Sequence, residues 1–326
     1  MRFILGVLRL IAAMGILGVS IPAMLALFGY AVPFFDIFNH LQILLFFGTL
    51  GALIVSLLLA MRIGWKVIAV LGLLSSSWAF VPEWLSSLAP RQAVSDVTTV
   101  KVMTHNIFGL NYDMRRVDDV IRAEDPDIVA LQEYFPEQAG LGELLAERYP
   151  YSVRCKGGKR ANLGLYSKFP FETAMDAEAC PANARGEQRT AHIIATFTLS
   201  TGTSFSLMTT HMDWPYPVER QRAQLAAAAE AINRIDGPLL VVGDFNSTPW
   251  SYALKEFEAE TGLKRETRNL VTYPELFTVP GGLVRLEPFL PLDHVFQRGA
   301  IVSELHRGAQ TGSDHRPVIF TFSVAP

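Results

Sequence analysis

The most chemically suggestive stretch of the chain is Val241-Val242-Gly243-Asp244-Phe245-Asn246-Ser247-Thr248-Pro249, an apolar run ending in a turn that carries an acid and an amide two residues apart. At strand spacing, residues i and i+2 point to the same side, so Asp244 and Asn246 converge on one point. There a carboxylate can take or orient a proton while an amide donates to a developing oxyanion. A strand-ending turn closed by its own side-chain hydrogen bonds is the plain alternative. A second stretch, Gly312-Ser313-Asp314-His315-Arg316-Pro317, leads into the last apolar run, and Pro291-Leu292-Asp293-His294-Val295-Phe296 puts another acid upstream of it. Asp293 is placed to hold the imidazole of His315 in one tautomer.

Two further apolar runs end in polar groups, Thr104-His105-Asn106 and Leu131-Gln132-Glu133-Tyr134. Asn106 and Glu133 offer a carbonyl and a carboxylate, hard oxygen ligands suited to Mg²⁺ or Mn²⁺. Zinc is disfavoured, because the sequence has neither HExxH nor CxxC spacing. In Met208-Thr209-Thr210-His211-Met212-Asp213-Trp214, His211 is a second histidine able to protonate a leaving oxygen, with a satisfied core histidine as the competing reading.

These residues sit at the ends of strand-like runs, and the runs dictate the architecture. Lys101–Phe108, Asp127–Tyr134, Gly164–Ser167, Ala191–Leu199, Ser204–His211, Pro238–Asn246, Leu292–Phe296 and Arg316–Ser323 read as strands. Met114–Ala123 and the alanine-rich stretch from Val218 to about Ile235 read as helices. Many strands with few intervening helices predict two packed sheets flanked by helices, an α/β sandwich and not a simple parallel sheet.

The N-terminal part is of another kind. Residues 1–90 contain only Arg2, Arg9, Asp36, Arg62, Lys66 and Glu83 as charged side chains, which leaves 24 Lys/Arg and 29 Asp/Glu to the remainder. Apolar runs at roughly 4–29, 38–60 and 65–81 match about 20 residues per membrane helix, the third only just. We therefore expect a three-helix transmembrane anchor over 1–85, a linker over 86–99 (Ser86–Thr99 is polar and small) and a catalytic domain over 100–326. A cleaved signal peptide would leave two runs unexplained. Arg2, Arg9, Arg62 and Lys66 put the N-terminus in the cytoplasm and residue 90 outside, facing periplasm or exterior. Cys155 and Cys180 could then pair in an oxidising compartment, or be two unrelated buried thiols. The acidic balance of the external part disfavours a nucleic-acid partner, which would call for a basic face.

Together, Asn106, Glu133, His211, Gly243-Asp244-Phe245-Asn246, Asp293 and Ser313-Asp314-His315 resemble, in order, the motifs of the endonuclease/exonuclease/phosphatase superfamily. The resemblance implies a four-layer α/β sandwich with its site at one rim. It implies Asn106, Glu133 and Asp314 as ligands of Mg²⁺ or Mn²⁺ and His315, paired with Asp293, on the scissile phosphate. It also implies Asp244 for the water, Asn246 as phosphate donor and His211 as in the nuclease and sphingomyelinase branches. Arg189, in Gln188-Arg189-Thr190-Ala191, is a further phosphate contact or a solvated side chain. Three spans before an external domain look most like a bacterial membrane-anchored branch associated with undecaprenyl diphosphate. The expected substrate is thus a lipid-linked phosphate or small phosphoester, with a nuclease or a sphingomyelinase-type phosphodiesterase as alternatives. Trp214, Tyr216 and Trp250 are expected either to touch the lipid interface or to pack the rim.

Overall fold

The computed structural model describes residues 2–92, 98–157, 162–173, 179–180, 191–280 and 282–324. It contains two compact units, Met1–Leu88 with Thr248–Lys255, and Ala89–Ser247 with Glu256–Pro326.

The first unit holds helices α1 (Arg2–Ala26), α2 (Gln42–Leu58) and α3 (Ile63–Leu88), with a 3-10 segment Pro33–Leu41 before α2. Phe3–Ala26, Pro33–Leu58 and Ile63–Leu88 are long and apolar enough to cross a membrane. The third is longer than its apolar run suggested, because the helix continues through Pro82 and the serines that follow to Leu88. Small residues let the helices approach: a Cβ on Gly72 of α3 would lie 2.6 Å from the Ser20 Cβ of α1.

The second unit is built on two six-stranded mixed sheets. One has the order β13-β14-β1-β2-β4-β3, comprising β1 (Thr99–Asn106), β2 (Ile128–Gln132), β3 (Tyr151–Lys156), β4 (Asn162–Ser167), β13 (Ala300–Arg307) and β14 (Val318–Val324). The other has the order β5-β6-β7-β8-β12-β9, comprising β5 (Phe171–Glu172), β6 (His192–Thr198), β7 (Ser204–His211), β8 (Leu239–Asp244), β9 (Lys264–Arg265) and β12 (Asp293–Arg298). Each sheet has one parallel pair, β1 with β2 and β7 with β8, and the remaining neighbours are antiparallel. Helix α4 (Met114–Glu124) makes the first parallel crossover and α6 (Val218–Asn233) the second. A short α5 (Gly140–Leu145), α7 (Tyr252–Thr261) and a hairpin of β10 (Leu276–Val279) and β11 (Gly282–Arg285) complete the described elements.

Alternation accounts for the layers. Val100, Val102, Ile128, Ala130, Leu163 and Leu165 face Ile193, Phe197, Leu207, Leu240 and Val242 across the dry inner layer. Met103, Val129 and Leu131 face the other way, onto Val117 and Ile121 of α4 and Leu141 and Leu145 of α5. On the second sheet, Leu225, Ala228, Ala229 and Ile232 form the buried stripe of α6. The Cys155 and Cys180 sulfurs are bonded, with Cα atoms 5.5 Å apart, so the paired alternative holds.

Candidate active site

A ligand site in an α/β sheet forms where parallel strands end, since the backbone stops there and leaves a crevice. Both parallel pairs end in the residues singled out above: Asn106 closes β1, Glu133 follows β2, His211 closes β7 and Asp244 closes β8. Register does the rest. Asp244 is paired with His211 on one side and with Asp293, the first residue of β12, on the other, so three polar groups share one rung. Asp314 and His315 precede β14, which runs antiparallel to β1.

Side chains from these strand ends meet at one atom, Asp244 Oδ2. It accepts from Asn106 Nδ2 at 2.9 Å and Asn246 Nδ2 at 3.3 Å, and has His211 Nε2 at 3.3 Å and His315 Nε2 at 3.6 Å. The other oxygen, Oδ1, accepts the Asn246 N–H at 2.8 Å, closing a tight turn in which Asn246 takes a φ of 46°. The side-chain-closed turn and the convergence of Asp244 with Asn246 therefore occur in the same structure. Asp293 Oδ2 accepts from Thr272 Oγ1 at 2.6 Å and lies 2.8 Å from His315 Nδ1. Glu133, also at positive φ, accepts the Gly109 N–H at 2.8 Å and lies 3.9 Å from His211 Nε2.

Burial and charge set the protonation of this cluster. Burial alone would lower the His315 pKa, but the charges of Asp293 and Asp244 outweigh it and raise it to about 10. Burial opposes ionisation of Asp244, yet His315 and His211 hold its pKa below the usual carboxylate range. The carboxyl of Asp293 is pushed up, chiefly by burial, against the pull of His315. Burial and the charges of Glu133 and Asp244 raise Asp314 to about 6, although His315 pulls the other way.

A cleft of about 560 Å³ opens over this cluster. Its floor is Glu133, Asp244, Asn246, Asp314 and His315, and its walls are Phe108, Gly109, Leu110, Tyr112, Phe135, Glu137 and Trp214. Several carboxylates thus face one space with no Lys or Arg among the described lining residues. Asp314 Oδ1 and Asn246 Oδ1 are buried there without a hydrogen-bond partner. That donor set fits a divalent cation bound through oxygen. Asp244, Asp293 and His315 also offer ligand atoms within 4.8 Å of one another, a group compact enough for a metal. Asp293 Oδ2 already serves both Thr272 and His315, whereas Asp293 Oδ1, like Asp314 Oδ1 and Asn246 Oδ1, is buried without a hydrogen-bond partner.

Every site residue expected from the sequence joins this cluster except Arg189, which lies outside the described residues. Trp250 is a correction: it is 1% exposed and packs on Phe80 within the first unit, because the turn after Pro249 directs it into the helices and not to the rim. Trp214 and Tyr216 are exposed. Sequence reasoning missed Tyr273, whose ring lies 4.7 Å from that of His315, and Thr272; Ser313, already part of the Ser313-Asp314-His315 motif, donates its hydroxyl to Asn106 O at 2.7 Å. Gln132, beside Glu133, donates to Thr209 of the other sheet at 2.9 Å and so ties the two strand ends together.

Two mixed sheets thus gather carboxylates, amides and histidines at the ends of their parallel strands. The chain belongs to the Endonuclease/Exonuclease/phosphatase family, whose model matches residues 103–315. A UPF0294 protein of Vibrio cholerae is 30% identical over 131 residues, covering 40% of this chain and 44% of that protein. The inositol phosphosphingolipids phospholipase C of Saccharomyces cerevisiae is 26% identical over 218 residues, covering 52% of this chain and 46% of that protein. The matches thus span less than half the length of either relative. The endonuclease/exonuclease/phosphatase of Bacteroides vulgatus shares the fold with a TM-score of 0.56 at 22% identity, over 70% of this chain and 100% of that one.

Proposed function

We propose that this chain is a membrane-anchored, divalent-metal-dependent phosphohydrolase acting on a lipid-linked phosphate ester or diphosphate such as undecaprenyl diphosphate. The observation that carries the reading is the make-up of the cleft. An acidic floor is walled by Phe108, Leu110, Tyr112, Phe135 and Trp214, with Leu110 68%, Tyr112 66% and Trp214 42% exposed. Apolar walls beside a phosphate site suit a chain attached to the phosphate. A nucleic acid would call for cations along its backbone, and none is found among the described lining residues. The three candidate spans supply the membrane. Arg9, Arg62 and Lys66 favour a cytoplasmic N-terminus and a catalytic unit outside the bacterial inner membrane.

In this reading Asn106, Glu133 and Asp314 hold Mg²⁺ or Mn²⁺, which would neutralise the phosphate oxygens when bound. Asp244 orients the attacking water through the oxygen that His211 and Asn106 also address. Asn246 and the Nε2 of His315 donate to the phosphate as charge develops, and Asp293 fixes the His315 ring. His211 stands ready to protonate the leaving oxygen. The similarity to a yeast phospholipase C favours a second reading, hydrolysis of an intact phospholipid diester.

The full chain in lipid nanodiscs should be assayed with Mg²⁺ on undecaprenyl diphosphate, sphingomyelin, bis(p-nitrophenyl) phosphate and plasmid DNA, with His315→Ala as control. Turnover of the diphosphate is expected, and Leu110→Ala with Trp214→Ala should reduce it about tenfold more than turnover of the soluble diester. Cleavage of DNA alone would overturn the substrate assignment, and sphingomyelin alone would select the second reading.

A further inference from the structure

The helical unit has a cleft of its own, of about 380 Å³, where α1 begins, α2 ends and α3 begins. Arg9, Arg62 and Trp65 line it together with the apolar Leu10, Ala13 and Met61. The turn that brings Arg62 there is fixed by the backbone. Ala60 takes a φ of 46°, its N–H donates to Leu57 O at 3.0 Å, and the Met61 N–H donates to Ser56 O at 3.0 Å. This pair of bonds ends a helix on a left-handed residue. Met61 is thereby turned inward, 6% exposed in one cluster with Ala13, Ile16 and Ala69, while Arg62 stays exposed on the cleft.

Arg9 lies inside the span Phe3–Ala26, about 9 Å from its start along the axis. Its Nε donates at 2.9 Å to the carbonyl of Leu59, the C-cap of α2, an oxygen that has no partner within its own helix. That contact holds the guanidinium in place and leaves its Nη hydrogens for a ligand. Neither arginine forms an ion pair among the described residues. The only acids before Ala89 are Asp36 and Glu83. Asp36 accepts from Asn39 and from the N–H groups of Tyr252 and Ala253, and Glu83 lies about 30 Å from Ile63 along α3.

Two cations without a protein counter-ion, at the end of helices long enough to span a membrane, call for an anion from outside the chain. A bilayer offers one at that level, the phosphodiester of an anionic lipid, and a half-buried tryptophan suits the same layer. The choline of a zwitterionic lipid would be repelled by the same arginines. We propose that this cleft binds the headgroup of an anionic phospholipid such as phosphatidylglycerol, with its phosphate between Arg9 and Arg62 and an acyl chain along Leu10. The site lies wholly within the helical unit and goes beyond the proposed activity, none of whose residues it uses.

The test is native mass spectrometry of the full chain in detergent, titrated with phosphatidylglycerol, phosphatidylcholine or inorganic phosphate. One phosphatidylglycerol should be retained per chain, at least about fivefold more tightly than phosphatidylcholine. Arg9→Gln and Arg62→Gln should each weaken retention about tenfold, and Lys66→Gln, the same charge change just outside the lining, less than about twofold. The Arg62 side chain makes no hydrogen bond among the described residues, so Arg62→Gln decides should Arg9→Gln not fold. Equal retention of the two lipids overturns the proposal. So does an equal loss in Lys66→Gln and Arg62→Gln, which would mark attraction to diffuse charge. Retention of inorganic phosphate in place of lipid would make the free anion the ligand and overturn the lipid assignment.

Discussion

Replacing Gly243 by alanine should damage both stability and chemistry. Gly243 has a φ of 144°, and a Cβ there would lie 2.0 Å from Thr210 O, 3.1 Å from Thr210 C and 3.3 Å from Thr210 N. All three are backbone atoms of β7, so no side-chain rotation can relieve the contact. Restoring a normal separation requires β7 and β8 to part by roughly an ångström at the rung before His211 and Asp244. Backbone strain at such a φ costs about 1–3 kcal/mol and forced repacking about as much again, roughly 2–6 kcal/mol together. Against a domain stability of about 5–15 kcal/mol this is a large fraction. The movement also stretches the 3.3 Å contact between His211 and Asp244, for which a loss of at least about tenfold in turnover is expected. Chemical denaturation of the purified full chain and diester turnover of the folded fraction measure the two effects separately. A variant with an unchanged midpoint and wild-type turnover would show that the rung does not set the site.

Further tests bear on other parts of the same geometry. Asp293→Asn should keep the shape but release the His315 ring, lowering kcat about 10²-fold with little change in metal affinity, measured by Mg²⁺ titration of turnover. Burial, helped by the Arg265 charge, lowers the His294 pKa to about 3, below the 6.5 of a free imidazole that the unfolded chain offers. The unfolded chain then binds the extra proton first, so stability falls as pH drops below about 6.5 and levels off near 3, by on the order of 5 kcal/mol in all. His294→Gln should flatten that acid slope, and an unchanged slope would refute the assignment. Reduction of the Cys155–Cys180 bond, which closes a loop of sequence separation 25, should lower stability by about 3 kcal/mol; a Cys155→Ser variant as stable as the parent in oxidising buffer would contradict this.

Strand existence was legible because the inner faces alternate cleanly, as in Val100 and Val102 or Leu163 and Leu165. Bounds drifted where polar ends joined apolar runs: β1 stops at Asn106 because Phe108 adopts a φ of 64°. Strands β3 and β13 escaped notice because each carries charged or polar residues on its outward positions, Arg154 and Lys156 in one, Glu304 and His306 in the other. The site's membership was legible because its residues stand at strand ends in a recurring order. Its internal wiring was not. That Asp244 Oδ2 is the common partner of Asn106, Asn246 and both histidines depends on register between strands distant in sequence. Tyr273 and Thr272 reach His315 and Asp293 from a loop with no periodic signal at all.

Two unrelated features bear on which side of a membrane the catalytic unit faces. The distribution of Arg9, Arg62 and Lys66 speaks through the insertion machinery, which retains cations in the cytoplasm. The Cys155–Cys180 bond speaks through redox chemistry, since such bonds persist in oxidising compartments and are reduced in the cytosol. Neither depends on the identity of the site, and both favour the outer face. In the proposed orientation, a cleft with apolar walls would meet lipid headgroups of the outer leaflet at high effective concentration. Extracellular DNA would reach the same cleft only by diffusion, and would find there an acidic floor without a basic flank among the described lining residues. Under the proposed function, location and electrostatics would argue for the same substrate class by separate routes.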